Sequence, residues 1–318
     1  MIRFTLRRLG LSIFTLFLIV TIVFLINNVL PDDPGRRIAG PFAPQETVDI
    51  INERIGANDP LGEQYVRLLR NTVTFDFGNS FSRDIPVNDI LFPALGRSAR
   101  LVALGLLLTI PISIAGGVYA ARRRDTLADR AVVTFGLASA SIPEFVSGVV
   151  LQFIVAVQLG WLPAFALAPS DAGFFEQLRF LILPALALVI VYFGYIARIT
   201  RAGTILALDS DYTRTARMKG LSKRKVLWRH VMRNALQPTV SVIGVQVGYL
   251  FAGLIGLEVV FNYPGLGRLI FTAVGDKDFP VLTACLLYTS PSPRDFSCNL
   301  VCRLRLEKGG GGGGGGGG

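Results

Sequence analysis

Long apolar stretches alternate with shorter polar ones along most of the chain. The first runs from Leu9 to Leu30 without a charged side chain, and at about 1.5 Å per helical residue it can cross the roughly 30 Å of a bilayer's hydrocarbon core. Later apolar stretches run from Leu101 to Ala121, from about Ala131, from Phe180 to Ala197, from about Ala235 to Leu257, and from about Phe279. The pattern predicts an all-α membrane protein with five spans and the beginning of a sixth.

Basic residues predict how these segments are oriented. Three arginines precede the first stretch, Arg122 to Arg124 follow the second, and residues 198–233 contain ten Lys or Arg. Because positively charged loops stay on the cytoplasmic side, these parts are predicted to be cytoplasmic, with residues 31–96 and 162–179 outside. A cleaved signal peptide is the alternative for the first stretch, but its apolar core would be shorter and no small-residue cleavage site follows before Pro31.

The composition supports a membrane protein and argues against several other classes. Apolar residues make up 51%, charged residues only 17%, and the mean hydropathy is +0.52, which is too apolar for a soluble domain of 318 residues. The net charge of +10 would suit nucleic acid, but the basic residues gather at the ends of apolar segments, where membrane topology explains them. None of the five lysines follows a glycine, and the sole histidine, His230, has no second metal ligand at suitable spacing. The sequence therefore predicts no ATP-binding loop, no catalytic motif, no cofactor and no metal.

A basic stretch from Asp209 to Pro238 separates two of the apolar segments. We expect two short helices in it, hinged at Gly220, which can take a left-handed conformation at no cost. Ser210 or Asp211 would cap the first helix with a side-chain oxygen, and Ser222 would cap the second. Six apolar residues keep to one side of the second helix, namely Val226, Leu227, Val231, Met232, Ala235 and Leu236.

The charge of this stretch alone allows two interpretations, a positive-inside loop or an amphipathic segment on anionic lipid. Its residue order favours a third. It reads Asp211-Tyr212-x-Arg214-x-Ala216-Arg217-x-Lys219-Gly220-Leu221-Ser222, followed by Arg229-His230, Arg233-Asn234-Ala235-Leu236 and Pro238. This order resembles the EAA loop of ABC importer permeases, nearest to the version in the dipeptide, oligopeptide and nickel permease family, although the Glu that names the loop is absent.

Other segments resemble the same family in the same order. They are Pro31-Asp32-Asp33-Pro34-Gly35, Asp76-Phe77-Gly78-Asn79-Ser80-Phe81, Glu258 to Gly267, and Asp278-Phe279-Pro280-Val281-Leu282. The resemblance implies a type I ABC importer permease bundle, with a first span in residues 1–30, a small periplasmic region in 31–96 and a permease core in 97–284.

In that family the EAA loop is a coupling helix that docks into a cleft on a cytoplasmic ATPase. The positions that carry the match are Asp211, Tyr212, Arg214, Ala216, Arg217, Met218, Lys219 and Gly220. Among them, the contact surface is expected to consist of Tyr212, Ala216, Arg217 and Met218.

The resemblance also implies partners and a location. The chain would pair with a second, related permease, lie on two ATPase subunits, receive substrate from an extracytoplasmic binding protein and reside in the bacterial or archaeal inner membrane. Peptides are the expected substrate, with glutathione and nickel complexes as alternatives. Two other classes stay open: a secondary transporter, which would need several buried carboxylates or inverted halves, and a lipid-binding membrane scaffold.

Two further features are candidates for the pathway or for a subunit interface. Glu144, counted along a straight helix from Ala131, would lie roughly 20 Å into the membrane, where a carboxylate usually faces a pathway or a partner. The alternative is that a kink at Pro143, like one expected at Pro111, places it in an interfacial turn. On the fifth span a stripe of small residues recurs every four positions, formed by Gly244, Gly248, Ala252 and Gly256, and it predicts close helix packing or contact with the partner permease.

The C-terminal residues 285–318 do not fit a permease. Tyr288 to Asp295 reads YTSPSPRD, which is too polar to continue a sixth span that starts near Phe279. Cys285 to Asp295 is what a transposon-based sequencing adapter encodes in this frame, and Gly309 to Gly318 corresponds to repeated GGG codons. We therefore expect that the native sequence is represented only as far as about Ala284 and that the rest of a native sixth span is missing, with a genuine flexible glycine tail as the alternative.

Overall fold

The computed structural model describes residues 10, 14–15, 17–18, 20–25, 34–40, 42–169 and 172–289. Within these ranges the regular structure is helical, and β-type pairing is limited to an isolated antiparallel bridge between Asn79 and Pro86. Of the predicted first span, residues 20–25 are helical. Most of the predicted tail, from residue 290 onward, lies outside the described residues, while Cys285 to Thr289 continue the helix that begins at Phe279.

Most helices follow one another with short connections, and the longest connections are residues 75–86 and 159–173. Three precede the first long helix: α1 (Pro34–Ala39), α2 (Gln45–Ile55) and α3 (Leu61–Thr74). The next four are α4 (Val87–Arg122), α5 (Leu127–Ala140), α6 (Glu144–Leu151), which continues as a π-helical segment (Gln152–Gln158), and α7 (Phe174–Leu208). The last five are α8 (Asp211–Met218), α9 (Lys223–Val226), which continues as a π-helical segment (Leu227–Val231), α10 (Met232–Val260), α11 (Leu266–Gly275) and α12 (Phe279–Thr289).

Several of these helices are long and apolar enough to cross a membrane. Among the described residues, α4 and α7 qualify as single helices, and two bent pairs qualify if each counts as one span. One bent pair is α5 with α6, which meet at 107°. The other lies within α9 and α10. The prediction of a helical chain that spans a membrane is confirmed, whereas the number of spans stays a prediction.

The helix α4 begins at Val87, earlier than the Leu101 expected from hydropathy. The reason is a buried apolar stripe at helical spacing, in which Val87, Leu91 and Ala94 are at most 2% exposed. This stripe is interleaved with polar residues, so a search for uncharged runs misses it.

The two prolines expected to interrupt helices behave differently. At Pro143 the chain breaks, because α5 ends at Ala140 and α6 begins at Glu144 after a sharp bend. At Pro111 the expected interruption is wrong, since α4 runs through it. Proline has a helical φ and loses only one amide donor, so a helix packed on its neighbours can accommodate it.

The chain divides into two compact units with separate cores. The first unit takes its residues from 1–99 and 264–291. Its core joins the first turns of α4 to α11 and α12, through buried residues that include Leu91, Leu266, Leu269 and Val281. The stripe at Leu266, Leu269 and Ala273 also packs in this first unit.

The second unit consists of residues 100–263 among the described part of the chain. Its centre is α7, which packs against α5 and α10 through buried residues such as Leu188, Tyr192 and Leu254. Glycines allow the closest approach, since a Cβ at Gly194 would clash with the backbone of Gly136 on α5. This arrangement positions the end of α7, from which the basic stretch continues.

Candidate coupling surface

The helix α8 begins where the sequence predicts. Ser210 is the N-cap residue, with extended backbone angles of φ −76° and ψ 153°. Its hydroxyl does not accept from a free amide as expected. It donates instead to the carbonyl of Ala207 at 2.6 Å, and the Thr213 hydroxyl donates to the same oxygen at 2.7 Å. These two bonds anchor the start of α8 to the last turn of α7.

The end of α8 is a left-handed turn at Gly220, as the sequence predicts. Gly220 has φ +76°, its amide donates to the carbonyl of Arg217 at 3.0 Å, and the amide of Leu221 donates to that of Ala216 at 3.4 Å. This pair of bonds is the Schellman pattern, which satisfies carbonyls that a helix end would leave free. Leu221 packs on the cluster that contains Ala216, which closes the turn.

The next helix starts at Lys223, and the Ser222 hydroxyl caps it by accepting from the amide of Lys225 at 3.4 Å. The prediction that this helix is short is wrong. After α9 the chain passes through the π-helical segment Leu227–Val231 and continues directly into α10. The apolar side predicted from the sequence explains the continuity, because all six of its residues are buried or partly buried in one cluster that also includes Ala207 and Ala216.

The two faces of α8 differ in character. Thr213 and Ala216 point inward and are 0% and 5% exposed. The expectation that Ala216 belongs to the contact surface is therefore corrected, since its small side chain seats α8 on the cluster below. The remaining predicted residues are exposed and form the outer face, which comprises Asp211, Tyr212, Arg214, Arg217, Met218 and Lys219.

Exposed apolar side chains lie among the charges of this outer face. Met218 is 73% exposed and Tyr212 is 41% exposed. Trp228, in the π-helical segment, is 64% exposed and was not singled out from the sequence. The sequence could have indicated its exposure, because Trp228 lies outside the apolar side of this helix, between Leu227 on that side and the basic Arg229.

Glu144 lies immediately after the sharp bend, as the first residue of α6. The estimate of 20 Å along a straight helix is wrong, because the chain turns between α5 and α6. Its Oε1 atom accepts a hydrogen bond from the Tyr192 hydroxyl on α7 at 2.9 Å. The same oxygen also lies against α10, where a Cβ at Gly253 would be 2.6 Å from it.

The four residues of the predicted small-residue stripe differ in their surroundings. Gly256 faces α6, since a Cβ there would lie 3.0 Å from the Cβ of Phe145. Gly244 and Gly248 are partly buried, and the side chain of Ala252 lies outside the described set. Gly256 therefore allows two helices of this chain to pack closely. The glycine next to Glu144, Gly253, was missed because it falls outside the four-residue repeat.

The described residues offer no group of three or more His, Cys, Asp or Glu side chains that could hold a metal ion.

Comparison with known proteins identifies the class to which this helical membrane chain belongs. Residues 113–292 match the profile of the family described as the binding-protein-dependent transport system inner membrane component, and residues 1–101 match its N-terminal family. The chain belongs to this family and is a permease component of a binding-protein-dependent ABC importer.

Individual relatives agree over almost the whole length. A probable peptide ABC transporter permease protein, y4tP of Sinorhizobium fredii, is 35% identical over 287 residues, which are 90% of this chain and 92% of that protein. The glutathione transport system permease protein GsiC of Escherichia coli is 36% identical over 290 residues, with coverage of 91% and 92%. A crystal structure of an amino acid ABC transporter with histidines aligns with a TM-score of 0.47 at 18% identity, covering 69% of this chain and 94% of that one.

Proposed function

We propose that the outer face of α8, together with the turn at Gly220, is the surface through which this permease contacts a cytoplasmic ATPase subunit. The observation that carries the proposal is the combination of an exposed apolar anchor, Met218, with the arginines on the same short helix and a helix end fixed by two backbone hydrogen bonds. Apolar and aromatic anchors within a polar rim are typical of protein interfaces.

Competing interpretations of the basic stretch explain less of this geometry. A loop that only fixes membrane topology needs positive charge but no defined turn. A lipid-bound amphipathic helix would put its apolar face toward the bilayer, whereas the apolar face of α8, at Thr213 and Ala216, is occupied by contacts within the chain.

The connections of α8 to its neighbouring helices would let a movement of α8 reach both α7 and α10. Its start is tied to the end of α7 through Ala207, and its end leads through α9 into α10 without a break. The helices α7 and α10 pack closely, so that a Cβ at Gly203 would lie 2.5 Å from the carbonyl oxygen of Ala235. A displacement of α8 would therefore act on two long helices that are already held together.

The partners and the orientation follow the same proposal. The chain pairs with a second, related permease, rests on two ATPase subunits and receives substrate from an extracytoplasmic binding protein, with its N-terminus in the cytoplasm. The substrate is a peptide. Support comes from the peptide permease among the relatives, while the glutathione permease at similar identity makes glutathione, itself a small peptide, the next candidate.

The translocation pathway or the subunit interface includes Glu144 in this proposal. The stripe of small residues, Gly244, Gly248, Ala252 and Gly256, completes the candidate set. Support for Glu144 is that its carboxylate is only partly buried and makes its described hydrogen bond to one neutral group, the Tyr192 hydroxyl.

The coupling proposal is tested by reversing single charges in the assembled transporter. Arg217→Glu alters the outer face of α8, and Lys223→Glu reverses a charge beyond Gly220, at a residue that is also exposed. We expect Arg217→Glu to abolish peptide uptake at normal membrane yield and Lys223→Glu to be mild. If the stretch only fixed topology or bound lipid, both variants would behave alike, each weakening lipid attraction by about 1 kcal/mol per positive charge removed.

The substrate is tested separately, by determining which ligand the cognate binding protein retains. Retention of peptides other than glutathione supports the peptide proposal, and retention of a nickel complex contradicts it.

A further inference from the structure

A cavity of about 190 Å³ lies in the first unit, between α3, the helical residues of the first apolar stretch and the start of α12. Its apolar walls are mostly aromatic and comprise Val23, Phe24, Leu68, Phe77, Phe81 and Phe279. Its polar lining comprises Gln64, Arg67, Asn71, Thr72 and Thr283. Among the described residues no carboxylate lines it, although Asp59 pairs with Arg67 nearby.

Two polar groups at this cavity are without a hydrogen-bond partner in the described part of the chain. Thr283 is only 5% exposed and lines the cavity, and its hydroxyl takes part in none of the hydrogen bonds there. The side-chain amide of Asn71 is likewise unused, whereas the Thr72 hydroxyl already donates to the carbonyl of Leu68 at 2.8 Å. Both groups line the cavity and can therefore hydrogen-bond to a molecule that enters it.

The surroundings of the cavity indicate where such a partner would come from. Phe24 belongs to the apolar stretch predicted to be the first span, and its neighbours Ile22 and Leu25 are 46% and 53% exposed. Phe279 begins α12, another apolar segment. The walls of the cavity are therefore continuous with surfaces suited to hydrocarbon, while α3 contributes the polar side.

We infer that this cavity is a binding site for an anionic phospholipid. The acyl chain lies against the phenylalanine rings, an ester oxygen receives hydrogen bonds from the Thr283 hydroxyl and the Asn71 amide, and the phosphate lies toward the Arg67 guanidinium. Arginine binds phosphate through two donors in a fixed geometry, so Arg67 favours an anionic head group. The inference is independent of the ATPase contact and requires only that the chain lies in a membrane.

The inference is tested on the assembled transporter in nanodiscs of phosphatidylcholine that contain a trace of phosphatidylglycerol with a photoactivatable acyl chain. After illumination, labelled peptides are mapped by mass spectrometry. We expect labelling concentrated in residues 64–81 and 279–283, and competed by unlabelled phosphatidylglycerol but not by phosphatidylcholine.

Variants identify the groups responsible. Arg67→Gln should lower labelling about tenfold, as expected for loss of a charge-assisted hydrogen bond. Arg70→Gln, at an exposed position of the same helix that does not line the cavity, is the matched control. Asn71→Leu should lower labelling several-fold. Because it leaves the ion pair between Arg67 and Asp59 intact, a loss of labelling in this variant cannot be attributed to loss of that pair.

Three results would overturn the inference. They are equal labelling by a zwitterionic probe, equal labelling of the Arg67→Gln and Arg70→Gln variants, and displacement of the label by an apolar peptide rather than by lipid. Uptake and ATPase activity are not the readout, so a failure here is distinct from a failure of the coupling proposal.

Discussion

Arg201 on α7 holds Asp129 on α5 through two hydrogen bonds, Nε to Oδ1 at 2.5 Å and Nη2 to Oδ2 at 2.6 Å. The Asp129 side chain is 4% exposed and that of Arg201 is 25% exposed. The same carboxylate also accepts from the backbone amide of Asp125 at 3.0 Å. The pair thus fixes the first turn of α5 to α7, about three turns before α8 begins.

Asp129→Ala should destabilise the protein by about 3 kcal/mol, because it leaves a partly buried guanidinium without its partner. The measurement is thermal unfolding of the purified protein in detergent, alongside membrane yield. The exposed pair between Arg124 and Asp209, at 3.4 Å, supplies the control. Asp209→Ala should change the stability by no more than about 0.5 kcal/mol. Equal effects of the two substitutions would contradict the structural role of Asp129.

Gly194→Ala should separate α5 from α7, because the added methyl would clash with the backbone of Gly136. Overpacking of this kind typically costs about 1–3 kcal/mol, and here the obstacle is backbone, which yields less easily than a side chain. Gly62→Ala, within α3, meets nothing within 4 Å and is the control. It should be neutral or stabilising by up to about 1 kcal/mol. A Gly194→Ala protein as stable as the parent would show that the two helices are not in close contact.

Gly220→Val should reduce uptake without lowering membrane yield. A Cβ at Gly220 meets nothing within 4 Å, so the cost arises from the φ of +76° alone. That strain, of order 1–3 kcal/mol, would be relieved by distorting the turn and misplacing α8. Gly220→Asn is the control, because asparagine tolerates the left-handed region better than a β-branched residue does. Uptake should therefore be higher in the asparagine variant, and normal uptake in the valine variant would argue against the turn's role.

The sequence predicted those parts of the site that depend on residues close to one another along the chain. Gly220 and Ser222 indicated the turn and the cap because their chemistry acts within a few residues. The inward position of Ala216 was not predictable, since it depends on a cluster assembled from α7, α9 and α10. The pair of Asp129 and Arg201 was also missed, because 72 residues separate two charges that each look like ordinary positions flanking a span.

Asp278 connects the loop after α3 to the start of α12, since its carboxylate accepts from the hydroxyls of Ser80 and Ser82 and is 1% exposed. Asp278→Ala should cost about 1–3 kcal/mol, because the Ser80 and Ser82 hydroxyls would lose a charged acceptor. Asp276, two residues earlier and exposed, is the matched site, and its replacement by alanine should have little effect. Limited proteolysis between Gly78 and Pro86 would report the loosened loop. Unchanged cleavage in the Asp278→Ala protein would count against the connection.

Glu144→Gln should lower uptake about tenfold if the carboxylate acts on a passing cationic group, because a hydrogen bond to a charged group contributes roughly 1.5–3 kcal/mol. Glutamine keeps the shape of the side chain and can still accept from Tyr192, so membrane yield and unfolding temperature should not change. Tyr192→Phe separates the two roles, since it removes the 2.9 Å hydrogen bond and retains the charge. Glu176→Gln, in the first turn of α7 and exposed, is the control for loss of charge. Normal uptake in Glu144→Gln combined with reduced stability in Tyr192→Phe would assign Glu144 to helix packing and remove it from the pathway.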